Sequence, residues 1–326
     1  MLAAVGIAIA VLLVGGGAFA AMNQQRIADQ FTVWGFTASK TIAGYATRSG
    51  MNDEGRFLFY ASKPVVEPEA KFDKICADHQ EDEGILGCYL PDDKTIFLYD
   101  VTDKRLDGIE EVVASHEMLH AAWDRMSIDE RHRVGPLLEA EAKKHAGDEG
   151  FAETLKYYAK AEPGERLNEL HSIIGTEFST ISPALEAHYA KYFTDRSQVT
   201  ALHEKSNAVF VELAAKTDAL VAKINALVEK MKSDYANYKT GYQRLNSDIG
   251  SFNARADSGA ITTESQFLYE RNRLLARQNS LDALFSSIQA ESDLYDKLVV
   301  QLKALNAQGA ELEKAVNIKP LDPSNL

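Results

Sequence analysis

Five consecutive residues, His116-Glu117-Met118-Leu119-His120, carry the most legible chemistry in this chain. Histidines four apart share one face of a helix, about one turn apart, so both imidazoles can reach a single divalent ion. Imidazole nitrogen suits Zn2+, and the glutamate directly after the first histidine is placed to act as general base on a water held beside the ion. The flanks are apolar, with Val112-Val113-Ala114 before the motif and Ala121-Ala122-Trp123 after it. That composition fits a helix enclosed in a core rather than a solvated surface helix.

A catalytic zinc takes three protein ligands and keeps one open position, so a third ligand must lie elsewhere in the chain. The metzincin spacing does not supply it, because Trp123 and Met126 stand where that pattern requires glycine and histidine. Further on, Asn168-Glu169-Leu170-His171-Ser172 is similar to the N-E-x-x-S of thermolysin-like enzymes. Together with H-E-x-x-H it resembles the gluzincin clan of zinc metallopeptidases, over roughly residues 55–195, with the small, minimal gluzincin domains nearest in kind. The resemblance implies that Glu169, on a later helix, joins His116 and His120 around Zn2+, with Glu177 and His171 as the alternative ligands. It implies peptide hydrolysis with Glu117 as the base and a peptide or protein as substrate. The chain departs from thermolysin-like enzymes at Ile173, where they carry an aspartate that orients a metal-binding histidine. The hydrogen-bond partner of the zinc histidines is therefore unassigned. Catalysis of this kind also needs a donor for the developing oxyanion. His171 is the residue placed in that role, with Tyr157 and Tyr158 as further candidates.

The elements expected to hold these residues can be read in order. Residues 56–61 read as a first strand, and Pro64-Val65-Val66-Glu67-Pro68 breaks it. Residues 71–79 read as a short helix. Residues 84–90 and 95–101 read as two strands around the turn Pro91-Asp92-Asp93-Lys94, a hairpin whose edge is suited to pairing with an extended peptide. Residues 108–126 hold the metal helix. Helices follow over 128–144, 151–161, 165–178 and 183–196. From about residue 204 the composition shifts to Ala, Leu, Lys, Glu, Asn and Gln. Leu220, Ile224, Leu227, Met231, Tyr235, Tyr238, Tyr242, Leu245, Ile249 and Phe252 then recur at threes and fours, with a stutter around Met231. Ala256-Asp257-Ser258-Gly259-Ala260 breaks the run. A second arm repeats every seven residues from Phe267 through Leu274, Leu281, Ile288, Tyr295 and Leu302. The fold class expected is α+β: a small zincin-like catalytic domain with few strands, followed by a long antiparallel α-helical coiled-coil hairpin. The boundaries expected are a transmembrane anchor or signal peptide over 1–23, a linker over 24–54, the metallopeptidase domain over 55–198, the hairpin over 199–316 and a tail over 317–326.

Residues 2–22 carry no charged side chain and are long enough to cross a bilayer as a helix. They are read as a retained anchor, or alternatively as a signal peptide cleaved after Ala18-Phe19-Ala20. Either reading puts the catalytic domain outside the cytoplasm, membrane-anchored or secreted. The two cysteines, Cys76 and Cys88, flank one short acidic loop and are read as a disulfide. The net charge of −13, with no Lys/Arg cluster, argues against nucleic acid as a partner. Partner binding or self-association is expected of the hairpin. The alternative function is a non-enzymatic envelope scaffold acting through that hairpin.

Overall fold

A computed structural model describes residues 23–76, 85–161 and 164–316. In chain order the helices are α1 (Gln24–Gly35), α2 (Lys40–Arg48), α3 (Asp53–Ala61), α4 (Glu69–Ile75), α5 (Ile109–Arg125), α6 (Ile128–Lys144), α7 (Glu149–Ala161), α8 (Arg166–Thr176), α9 (Pro183–Tyr189), α10 (Ser197–Asp257) and α11 (Glu264–Ala315). The strands are β1 (Val65–Glu67), β2 (Gly87–Leu90) and β3 (Thr95–Tyr99). The protein is thus mostly helical, with one small sheet and two long C-terminal helices. Its described residues divide into two compact units, one within 23–210 with 311–316 and the other 211–310.

The sheet has the order β1-β3-β2, with β1 parallel and β2 antiparallel to β3. Cys88 pairs with Phe97 and Tyr89 with Ile96, the hairpin expected from the strand–turn–strand pattern. The expected strand over 56–61 is corrected: this segment is helix α3. Asn52 caps it by accepting the Gly55 N–H, Asp53 and Glu54 occupy its first turn, and Leu58, Phe59 and Ala61 are buried at helical spacing. The sheet position goes instead to β1, on the proline-flanked segment. The expected linker over 24–54 is also corrected. Ser39 caps α2, whose Ile42, Tyr45 and Ala46 belong to the main core.

Helix α5 is central to the first unit. It packs against α2, α3, α8, β2 and β3, and ten of its 17 residues are buried, so it is enclosed on nearly all sides. Its N-terminus is held by Tyr45, whose hydroxyl donates to Glu110 at 2.6 Å, and by Arg48, paired with Glu111 at 2.5 Å. Its C-terminus is held by Arg125, which grips the Asp29 carboxylate through Nε and Nη2 at 2.9 and 3.0 Å. Helix α8 lies close against α5 because residue 175 is glycine. A Cβ there would collide with Leu119 Cδ1 and would sit 2.8 Å from Tyr189 Cε1.

In the second unit α10 and α11 pair side by side. Phe252 meets Phe267, Asp248 binds Arg277, Tyr238 meets Phe285, and Lys230 binds Glu291. Residue numbers fall along one arm as they rise along the other, which makes the pair antiparallel. The less exposed positions of α11 (274, 277, 281, 284, 288, 291, 295, 298) alternate strictly by threes and fours. On α10 the seam runs 227, 231, 234, 238. The doubled four does not fall at Met231: Asp234 holds the seam position there and Tyr235 is 58 % exposed.

The expected membrane-anchored placement is corrected. Among the described residues no helix is long and apolar enough to cross a membrane. Helix α1, at 12 residues, is about 18 Å long against a hydrocarbon core of about 30 Å, and it carries Arg26 and Asp29. The anchor was read on residues 2–22, which lie outside the described residues.

Candidate metal centre

The metal-helix motif falls wholly within α5, and the Asn168-Glu169 pair falls in the first turn of α8. The packing of these two helices brings together His116, His120 and Glu169, with one donor atom of each within 4.8 Å of the others. Glu169 Oε1 lies 3.5 Å from His120 Nε2, and Glu169 Oε2 lies 3.9 Å from His116 Nε2. Ligand atoms about 2.0–2.2 Å from one tetrahedral ion stand roughly 3.3–3.6 Å apart, so the two carboxylate–imidazole distances lie close to those of a shared cation. The glutamate is 1 % exposed, whereas the histidine side chains keep 13 % and 11 % of their surface. The group is closed on the carboxylate side and open past the imidazoles.

Electrostatics favour the ligand form of His116. Burial, reinforced by the neighbouring His120, holds His116 well below the usual histidine range, so its ring is neutral and offers a lone pair. The tautomer of His120 follows from a relay. Asn168 Nδ2 donates to Glu165 Oε2 at 3.2 Å, which turns its Oδ1 toward His120 Nδ1 at 2.9 Å. The amide oxygen can only accept, so Nδ1 carries the proton and Nε2 is left to bind a metal. Asn168 thus fills the orienting place left unassigned at Ile173. It was visible in the Asn-Glu pair, and its role depends on a helix 48 residues away.

Glu117 is 5 % exposed and lies against strand β2. A Cβ at Gly87 would fall 2.6 Å from Glu117 Oε1 and 2.6 Å from Val113 Cγ1, so only glycine lets the strand backbone pass so near the carboxylate. The strand is fixed there by the Cys76–Cys88 disulfide and by Tyr89, whose hydroxyl donates to Asp124 Oδ2 at 2.9 Å. Sequence reasoning named the hairpin and the disulfide but not Gly87, whose function depends on what it meets across the fold.

The remaining candidates lie elsewhere. His171 is fully enclosed, with Nε2 2.9 Å from His188 Nε2 and its ring stacked on Tyr189 and tilted against Trp123. Burial lowers its basicity well below the usual range. An oxyanion donor must face substrate, and the structure places this imidazole in packing instead. Glu177, the alternative ligand, ends α8 as its C-cap, about 12 Å along the axis from Glu169, outside the His-His-Glu group. Desolvation pushes its carboxyl up to about 7. The side chains of Tyr157 and Tyr158 lie outside those described. The chain matches no protein-family model, no curated protein and no solved structure.

Proposed function

We propose that this chain is a zinc-dependent peptidase with a small zincin-like domain. The observation that carries the reading is the convergence of two imidazoles and one buried carboxylate from separate helices, with Glu117 on the turn between the two histidines. Two nitrogens and one carboxylate oxygen are a donor set suited to Zn2+. When bound, zinc supplies Lewis acidity, polarising the scissile carbonyl and lowering the pKa of water toward about 7.

The protein's own groups supply the rest. His116 and His120 would bind through ring nitrogens, and the buried Glu169 would offset part of the ion's charge. Asn168 fixes the His120 tautomer. Glu117 takes the proton of the attacking water and hands it to the leaving amine. Strand β2, held against Glu117 through Gly87, offers its outer edge to an extended peptide. The test is to measure the zinc content of the full chain and its hydrolysis of a mixed peptide library, then repeat both with Glu117→Gln. The reading expects zinc retained and turnover reduced by about 10²–10⁴-fold. Wild-type turnover in the variant, or a chain that binds no zinc, would refute it.

A further inference from the structure

The helical pair of the second unit has two unlike sides. On α10 an apolar residue follows every second seam position: Val221, Val228, Tyr235, Tyr242 and Ile249, repeating every seven residues. In an antiparallel pair this row stands on the same side as the corresponding row of α11. That row supplies Gln278, Phe285, Ser292 and Val299, with Leu275 at its margin. Tyr235, Phe285 and Leu275 are 58 %, 42 % and 40 % exposed, and Val221 is 38 % exposed. The opposite side carries Lys216, Lys223, Lys230 and Arg244 from α10 and Arg273 from α11. One flank is therefore mainly apolar, broken by Gln278 and Ser292, and the other carries these basic side chains with Leu294 among them, a division that one hairpin alone leaves unsatisfied.

We propose that this apolar flank is the contact between two copies of the chain, which stack hairpin on hairpin into a four-helix bundle. Its size fits. Residues 221–249 run about 42 Å along the axis, and two helices side by side are about 20 Å wide, giving roughly 800 Å² per copy, the area of a standard stable interface. The rim charges fit a two-fold axis along the helices, which lays α10 of one copy over α11 of the other at the same level. The levels are fixed by the Tyr238–Phe285 contact and by the approach of Gly309 to Leu213. Under that symmetry Lys239 faces Asp282 of the second copy and Asp218 faces its Lys303, each pair occurring twice. Between them Asn225 faces Asp296 and Lys232 faces Gln289, so no like charges are opposed. All of these rim residues are exposed in the single chain.

Sedimentation equilibrium of the full chain at tens of micromolar tests this. Two chains are expected per particle. The pair Tyr235→Lys with Phe285→Lys is expected to leave one, with helical circular dichroism unchanged, whereas Lys223→Glu on the basic side leaves two. Lys239→Asp is expected to weaken dimerisation by about tenfold, and adding Asp282→Lys restores it. A wild-type chain that stays single leaves the flank to another protein's helix and overturns the proposal. A dimer that survives Tyr235→Lys with Phe285→Lys overturns it too, as does a charge reversal without rescue.

Discussion

Removing the amide of Asn168 isolates the device that sets the His120 tautomer. In Asn168→Ala the Nδ1 donor, 2.9 Å from Oδ1 in the native chain, loses its acceptor in a half-buried place. An unsatisfied donor there costs about 1–3 kcal/mol, and the ring is freed to place its proton on either nitrogen. Loss of the group that orients a metal-bound histidine weakens binding about 10- to 100-fold, or about 1.4–2.7 kcal/mol. The first cost falls on the metal-free and metal-bound forms alike, so the second sets the expectation: a zinc dissociation constant raised by about 10- to 100-fold in competition against a chromophoric chelator. The double variant Asn168→Asp with Glu165→Gln keeps the network while reversing its polarity. The carboxylate introduced on α8 then accepts from both the imidazole and the new side-chain amide one turn before it, and affinity returns to the native value or above it. Thermal melting of the metal-free proteins separates this effect from general destabilisation. Native zinc affinity in Asn168→Ala would refute the tautomer argument, and so would a loss that Asn168→Asp with Glu165→Gln does not restore.

Other outcomes follow from the same geometry. Gly87→Ala drives a methyl group into Glu117 Oε1 and Val113, so hydrolysis should fall at least about 100-fold with zinc content unchanged; unaltered turnover would show that the strand need not pass so close. Replacing Cys76 and Cys88 by serine reopens a short loop and should cost about 3 kcal/mol, read as a lower urea midpoint. His188, enclosed with His171 and facing Lys191 and Glu130, is held down to about 4 chiefly by burial and next by Lys191. Its pKa is lower folded than unfolded, so the unfolded chain binds the extra proton. The stability tied to its neutral form, on the order of 3 kcal/mol, is complete above about pH 6.5 and is lost as pH falls toward 4. His188→Gln should flatten the acid limb of a urea-midpoint profile across that window, and an unchanged limb would remove His188 as its cause.

What the sequence made legible is what depends on near neighbours along the chain. The four-residue spacing of His116 and His120 determines a shared helix face whatever surrounds it. The Asn168-Glu169 pair named the carboxylate that the structure brings to those histidines. The hairpin strands, the disulfide and the threes and fours of the C-terminal arms were readable for the same reason. Segment 56–61 misled because Phe57-Leu58-Phe59-Tyr60 has strand-like composition, while burial of Leu58 and Phe59 in the core selects a helix. Tyr235 misled because apolarity suggested a seam position that the phase of the opposing helix gives to Asp234. The tertiary structure alone decided that His171 turns to His188 rather than to the metal group, that Asn168 reaches His120, and that Gly87 makes room for Glu117. Each of these depends on the distance between elements far apart in sequence. Close approaches such as that of α8 to α5 at Gly175 set those distances, and no local periodicity encodes them.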